Sequence, residues 1–182
     1  MIEASNIKAA TESPVGRLNV EALSVHEHAL RPIWSIQSNQ SYSLEDFVRA
    51  TFNTELNPER LLQQGPNRLI QLSPYRALMV SESPAISQAM AQYESMLTDV
   101  SHGYCELCVT GKQSFDFLRL YVSANMSKVI GAGSFSVNCL LGQYRCLLWW
   151  DDSSQIHILV ERSYAQSFRH YLSHLMQRHH WS

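Results

Sequence analysis

The chain has 182 residues, 45% of them apolar, enough to bury one good core or two small fused ones. Its formal net charge of -2, from 14 basic and 16 acidic residues spread along the sequence, supplies no electrostatic basis for a nucleic-acid or membrane-surface partner. Charged residues make up 16%, against roughly 25% in an average globular protein, so part of the surface is expected to be covered by something else.

No apolar run approaches the roughly 20 residues of a membrane span, and the start "MIEASNIKAATESPVG" lacks both the basic head and the apolar core of a signal peptide. A cytoplasmic chain with four reduced cysteines is the expectation. Residues 1–28 are rich in Ser, Glu, Ala and Asn without a sustained period, and read as an extended N-terminal arm with no core of its own. "LRPIWSIQ" then reads as extended. Ser43 caps a helix that presents Leu44, Phe47, Val48 and Phe52 on one face. "NPERLLQQGPN" reads as a connecting loop. "RLIQLS" and "RALMVS" form a strand pair turning at Pro74-Tyr75, and Ser83-Pro84 opens a helix with the stripe Ile86, Met90, Tyr93 and Leu97.

From residue 98 the order returns. "YCELCVT" is a strand, and "KQSFDFLRLYV" a helix with Phe115, Leu118, Tyr121 and Val122 inward. "SFSVNCLL" and "YRCLLWW" are strands joined by a two-residue turn at Gly142-Gln143; "DDSS" turns the chain into the last strand, "IHILVE". A final helix starts at Arg162-Ser163, with Ser163 and Gln166 at capping-box spacing and Tyr164, Phe168, Tyr171, Leu172 and Leu175 buried. The fold class is therefore α+β: an N-terminal arm (1–28), then two pseudo-repeated strand-helix-strand-strand-helix units with mainly antiparallel sheets. The units span 29–97 and 98–182, the second carries one extra strand, and together they make one compact domain.

"GYCELCVTG" has the spacing of a zinc knuckle or a thiol redox pair. On a strand, however, successive side chains alternate: Cys105 goes with Leu107 and Val109, and Cys108 with Tyr104, Glu106 and Thr110, so the two thiols cannot clip one ion. Cys139 and Cys146 can approach each other across the Gly142-Gln143 hairpin as small buried apolar residues. His170 and His174 stand one helical turn apart but face away from the Phe168 and Leu172 stripe and lack a third ligand; His179-His180 belongs to the tail. Gly131-Ala-Gly133 leads into a strand rather than the helix a dinucleotide loop must open, and Gly111-Lys112-Gln113-Ser114 departs from a phosphate loop at Glu106 and Gln113. No catalytic, cofactor-binding or metal site of its own is expected.

"TDVSHGYCELCVTGKQSFDFLRLYV", "GSFSVNCLLGQYRCLLWWDD" and "IHILVERSYAQSFRHYLSHL" together resemble the gamma subunit of heterotetrameric sarcosine oxidases. The resemblance rests on a Thr-Asp-x-Ser-x-Gly lead-in at Thr98, Asp99, Ser101 and Gly103, on a strand ending at Gly111, and on the Arg-Ser-Tyr-Ala turn of Arg162 to Ala165. In the first half "SPYRALMV" keeps a decayed form of the family's Pro-x-x-Trp-Leu pattern, with Ala77 in place of Trp. The resemblance implies a fold like the folate-binding domain of aminomethyltransferases, in a non-catalytic structural subunit. FAD, FMN, NAD, zinc and tetrahydrofolate would belong to alpha, beta and delta partner subunits, and the complex would oxidatively demethylate a secondary amine such as sarcosine or a related N-methyl amino acid. The alternative is a free-standing folate-dependent one-carbon protein of the same fold, although such chains are about twice as long. Trp149 and Trp150 are adjacent on a strand and so point to opposite faces; one of them is expected to lie at an interface with a partner chain.

Overall fold

The computed structural model describes residues 18–20, 23–57, 61–65, 67–82, 88–123, 135–150 and 155–178. Eleven strands among these residues form two sheets, each with its own helices. In the first sheet, β3 (Ile33–Gln37) pairs antiparallel with β6 (Arg76–Val80), β6 with β5 (Asn67–Ser73), β5 with β4 (Leu62–Gln64), and β7 (Leu97–Asp99) closes the other edge on β3. The second sheet holds β1 (Leu18–Val20), β2 (Leu23–Glu27), β8 (Tyr104–Thr110), β9 (Phe135–Leu141), β10 (Tyr144–Trp150) and β11 (Ile156–Glu161), in the spatial order β1-β2-β8-β11-β10-β9. Every pairing is antiparallel.

The layers follow from alternation along the strands. One face of the second sheet, bearing Val25, Cys105, Leu107, Val109, Leu148, Trp150 and Ile158, packs on α3 (Ser114–Tyr121) and α4 (Ala165–Arg178) through Phe117, Leu118, Phe168, Leu172 and Leu175. In the first sheet, Ile36, Leu69, Ala77 and Met79 pack on α1 (Leu44–Phe52), and α2 (Gln88–Ala91) adds Met90. The remaining faces meet each other: Ile33, Ile70, Leu78 and Val80 of one sheet against Leu147, Trp149 and Leu159 of the other. The result is helices, sheet, sheet, helices, with three apolar layers between them. The α+β class and the two mainly antiparallel sheets agree with the sequence pattern.

Local chemistry explains the ends. Ser43 accepts from the Asp46 amide while the Asp46 carboxylate reaches back to the Ser43 amide, and Asn53 closes α1 in the left-handed region at φ 50°. At the β9–β10 turn Gly142 has φ 62°, and a methyl group there would overlap the Tyr171 phenol, so only glycine fits both the backbone and the helix above it.

Several expectations change. The segment read as part of a core-less arm supplies β2, whose Leu23 and Val25 are buried under the helices of the second half; residues 1–17 lie outside the described part. The alternation of Leu23, Val25 and Glu27 is short, and it becomes a strand only because β8 presents a free edge. The predicted loop at 57–67 contains β4, since Leu61 and Leu62 are buried. The boundary at 97/98 falls inside β7, because Leu97 pairs with Ile36 rather than continuing a helix. Ser83 to Ser87, Gly131 to Gly133 and the turn at 151–154 lie outside the described residues. In α3, Phe117 is the deeply buried ring while Phe115 packs at its margin, and Tyr164 is 52% exposed because the chain enters α4 through a tight 3-10 turn at Arg162–Tyr164.

Candidate functional site

The strand parity of "YCELCVT" holds: Cys105, Leu107 and Val109 lie in the helix-covered core, while Glu106 and Cys108 face the other sheet. On that side a polar group is assembled from distant parts of the chain. Cys108 is directly opposite His26 on β2 and His157 on β11, and the His28 amide donates to the Glu106 carbonyl at 2.8 Å, extending the β2–β8 ladder. Residues opposite one another across a ladder share a face. His26, His28, Glu106, Cys108 and His157 therefore converge on one patch.

Glu106 is buried and ionised. Burial alone would push its carboxyl up, but hydrogen bonds from His157 and Arg31, together with the Arg31 charge, outweigh that and hold it below its ordinary value. Arg31, on the crossing between β2 and β3, grips both oxygens, with Nε to Oε2 at 2.9 Å and Nη2 to Oε1. His157 Nδ1 lies 2.7 Å from Oε1, and its ring stacks on Trp149 at 5.1 Å and 6°. From Arg31 the network runs to Glu82 at 3.8 Å and on to Arg68 at 3.6 Å, which reach it from the first sheet. The group thus ties the two sheets together where the chain crosses between them.

Cys108 and His157 are the residue types of a nucleophile and its base, yet the geometry opposes that role. The thiol lies 3.4 Å from the same ring nitrogen that contacts Glu106, so nucleophile and orienting carboxylate compete for one atom instead of flanking the ring. Burial first, and the Glu106 charge second, push the Cys108 thiol up to about 12. Cys105 is likewise pushed up to about 12, chiefly by burial. Cys139 and Cys146 are in register with their sulfurs 4.0 Å apart, as the hairpin spacing predicts. His170 and His174 are exposed on α4. An open concavity of 670 Å³ beside α4, lined by Tyr144, Arg145, Glu161 and Tyr164, shares none of the clustered residues.

The motifs behind the resemblance are braces. The Asp99 carboxylate accepts from the Ser101 amide at 2.9 Å and its hydroxyl at 2.5 Å, which lowers the Asp99 carboxyl; Ser101 Oγ then accepts from the Ile33 amide at 2.9 Å. Thr98-Asp-Val-Ser101 thereby fixes the passage from the first sheet to β8. Arg162 donates through Nε to the Tyr104 carbonyl at 2.9 Å and approaches Glu27 at 3.4 Å, pinning the turn into α4 against β8 and β2.

Trp149 and Trp150 do point to opposite faces, but both are covered within this chain, at 0% and 5% exposure. Trp149 lies between the sheets and Trp150 stacks on Phe135 and meets Phe115 edge-on beneath α3. The interface expectation fails for both because a strand in a four-layer stack has no bare face. What sequence reasoning missed was the cluster. His26 in β2 and His28, one residue beyond its end, are two apart in extended chain, which places them on one side, but only the inter-strand register brings them to Glu106 and Cys108.

No known family profile matches the sequence, and no curated protein is detectably similar to it. Among solved structures the chain is similar to a chain of the heterotetrameric sarcosine oxidase from Corynebacterium sp. U-96, determined in complex with pyrrole 2-carboxylate, at 16% identity and a TM-score of 0.75. The match covers 91% of this chain and 90% of that one. At that identity it is the fold that is shared: two antiparallel sheets face to face with helices outside, in the arrangement of a sarcosine oxidase chain.

Proposed function

We propose that this chain is a non-catalytic, structural gamma subunit of a heterotetrameric, flavin-dependent sarcosine oxidase-like complex. The complex would oxidatively demethylate a secondary amine, sarcosine or a related N-methyl amino acid. The observation that carries this is the end-to-end likeness to one chain of such an oxidase, 91% of this chain on 90% of that one. A likeness to a whole subunit fits a partner protein better than a fragment of a longer folate enzyme. The buried, protonated thiols and the shared ring nitrogen of His157 add support, because neither suits a reaction on a substrate. FAD, FMN, NAD and tetrahydrofolate would then be held by alpha, beta and delta partners, in the cytoplasm. The fold would be that of the folate-binding domain of aminomethyltransferases, put to scaffolding use. No helix among the described residues is long and apolar enough to cross a membrane.

Co-expression with the alpha, beta and delta chains of a heterotetrameric sarcosine oxidase from the same genome tests this. Stoichiometric co-purification in a flavin-containing, amine-oxidising complex is expected, with no turnover by this chain alone. Failure to associate, or amine oxidation or stoichiometric tetrahydrofolate binding by the isolated chain, overturns the proposal; the folate result would favour a free-standing one-carbon protein.

A further inference from the structure

We propose that His28, Glu106 and Cys108 form a binding site for a divalent transition metal of zinc's character. One donor atom from each lies within 4.8 Å of the others. Ligand atoms around a tetrahedral zinc lie roughly 3.3–3.8 Å apart, given bond lengths of about 2.0–2.3 Å, so the three need to close by about an ångström. Half-buried His28, at the end of β2, can supply that movement and gives an ion a route from solvent. The donor set of one sulfur, one nitrogen and one oxygen suits zinc and disfavours magnesium or calcium.

The surroundings prepare each ligand. His28 Nδ1 lies 3.0 Å from the Ala29 carbonyl, which only accepts, so in the tautomer that donates to that carbonyl Nε2 presents its lone pair to an ion. Glu106 has four lone-pair positions: Arg31 and His157 take those of Oε1 and Arg31 Nε takes one on Oε2, which leaves one on Oε2. His157 is clamped between Trp149 and the carboxylate and acts as a positioning residue for it. Cys108 is held as a thiol by burial, and metal binding replaces its S–H bond with an S–metal bond, releasing one proton to solvent. Arg31 places a positive charge beside the cation, so affinity should fall short of a four-ligand structural zinc site. Three protein ligands leave a fourth position for water.

This departs from the expectation of a metal-free chain, and it is independent of any zinc in partner subunits. The "CELC" stretch would contribute the sulfur of Cys108 and the carboxylate of Glu106, with the third ligand coming from His28 just beyond β2 rather than from Cys105. The full-length chain, stripped with a chelator and dialysed, is titrated with cobalt(II), and the near-ultraviolet thiolate-to-cobalt charge-transfer band is followed. One cobalt per chain is expected, displaced by zinc. Cys108→Ser should abolish the band, Cys105→Ser should keep it, and His28→Gln, at a half-buried position where folding is not at stake, should weaken binding about ten-fold or more. Absence of the band at stoichiometric cobalt, a band that survives Cys108→Ser, or unchanged affinity in His28→Gln overturns the site and leaves a purely structural ion-pair cluster.

Discussion

At Glu106 a single side chain decides whether a buried polar group is an asset or a fault. Glu106→Gln keeps the shape but leaves the buried Arg31 guanidinium with only the longer contact to the exposed Glu82, and loss of a buried counter-charge typically costs about 3–5 kcal/mol. Urea denaturation should register that as a fall in midpoint without a change of slope. The carboxyl is held below its ordinary value of about 4.3, so its contribution is complete above that pH and is lost as pH falls through the lower folded value. Wild-type stability should therefore drop on acidification below about pH 4 more than that of Glu106→Gln, a difference that parallel melts at neutral and acid pH will show. Trp149 makes the complementary case on the apolar side. Fully buried between the sheets, it should cost about 3–5 kcal/mol as Trp149→Ala, read in the chain's own unfolding curve rather than in recovery of a partner. A Trp149→Ala chain as stable as wild type would show that the sheets do not meet as described.

At the scale of elements, β2 shows what strand edges do for a short sequence. Leu23 and Val25 are each worth about 1.5–3 kcal/mol when buried, and β2 also covers the outer edge of β8. Deleting residues 1–27 should therefore destabilise the second sheet and promote aggregation even without any partner, measurable as a lowered melting temperature and light scattering. A deletion variant that stays monomeric with wild-type stability would restore the view of these residues as a detachable arm. The same element marks how far the sequence could be read. Alternation sorted Cys105 from Cys108 and placed Glu106 beside Cys108, and the Ser43 cap, the Pro74-Tyr75 turn and the Gly142-Gln143 turn were legible from local chemistry. The clustering of His28, Arg31, Glu106 and His157 was not, because it depends on register between strands far apart in the chain, and three alternating residues cannot say which edge they will join. The tryptophans misled for a related reason: parity tells that two faces exist but not that a second sheet covers one of them.

For the whole molecule, the two structural halves are not two segments of chain. The first sheet is built from residues 33–99, yet β2, which precedes it, belongs to the sheet completed by residues 104–161. On the ribosome β2 therefore emerges long before β8, and the whole first sheet is synthesised before β8 appears to receive it. Pairings of such long sequence separation form slowly, and until they do the nascent protein carries a strand with an open edge and a sheet lacking its cover. A cell that makes this chain has a standing need to shield that half-finished surface during translation, whatever the finished protein assembles with.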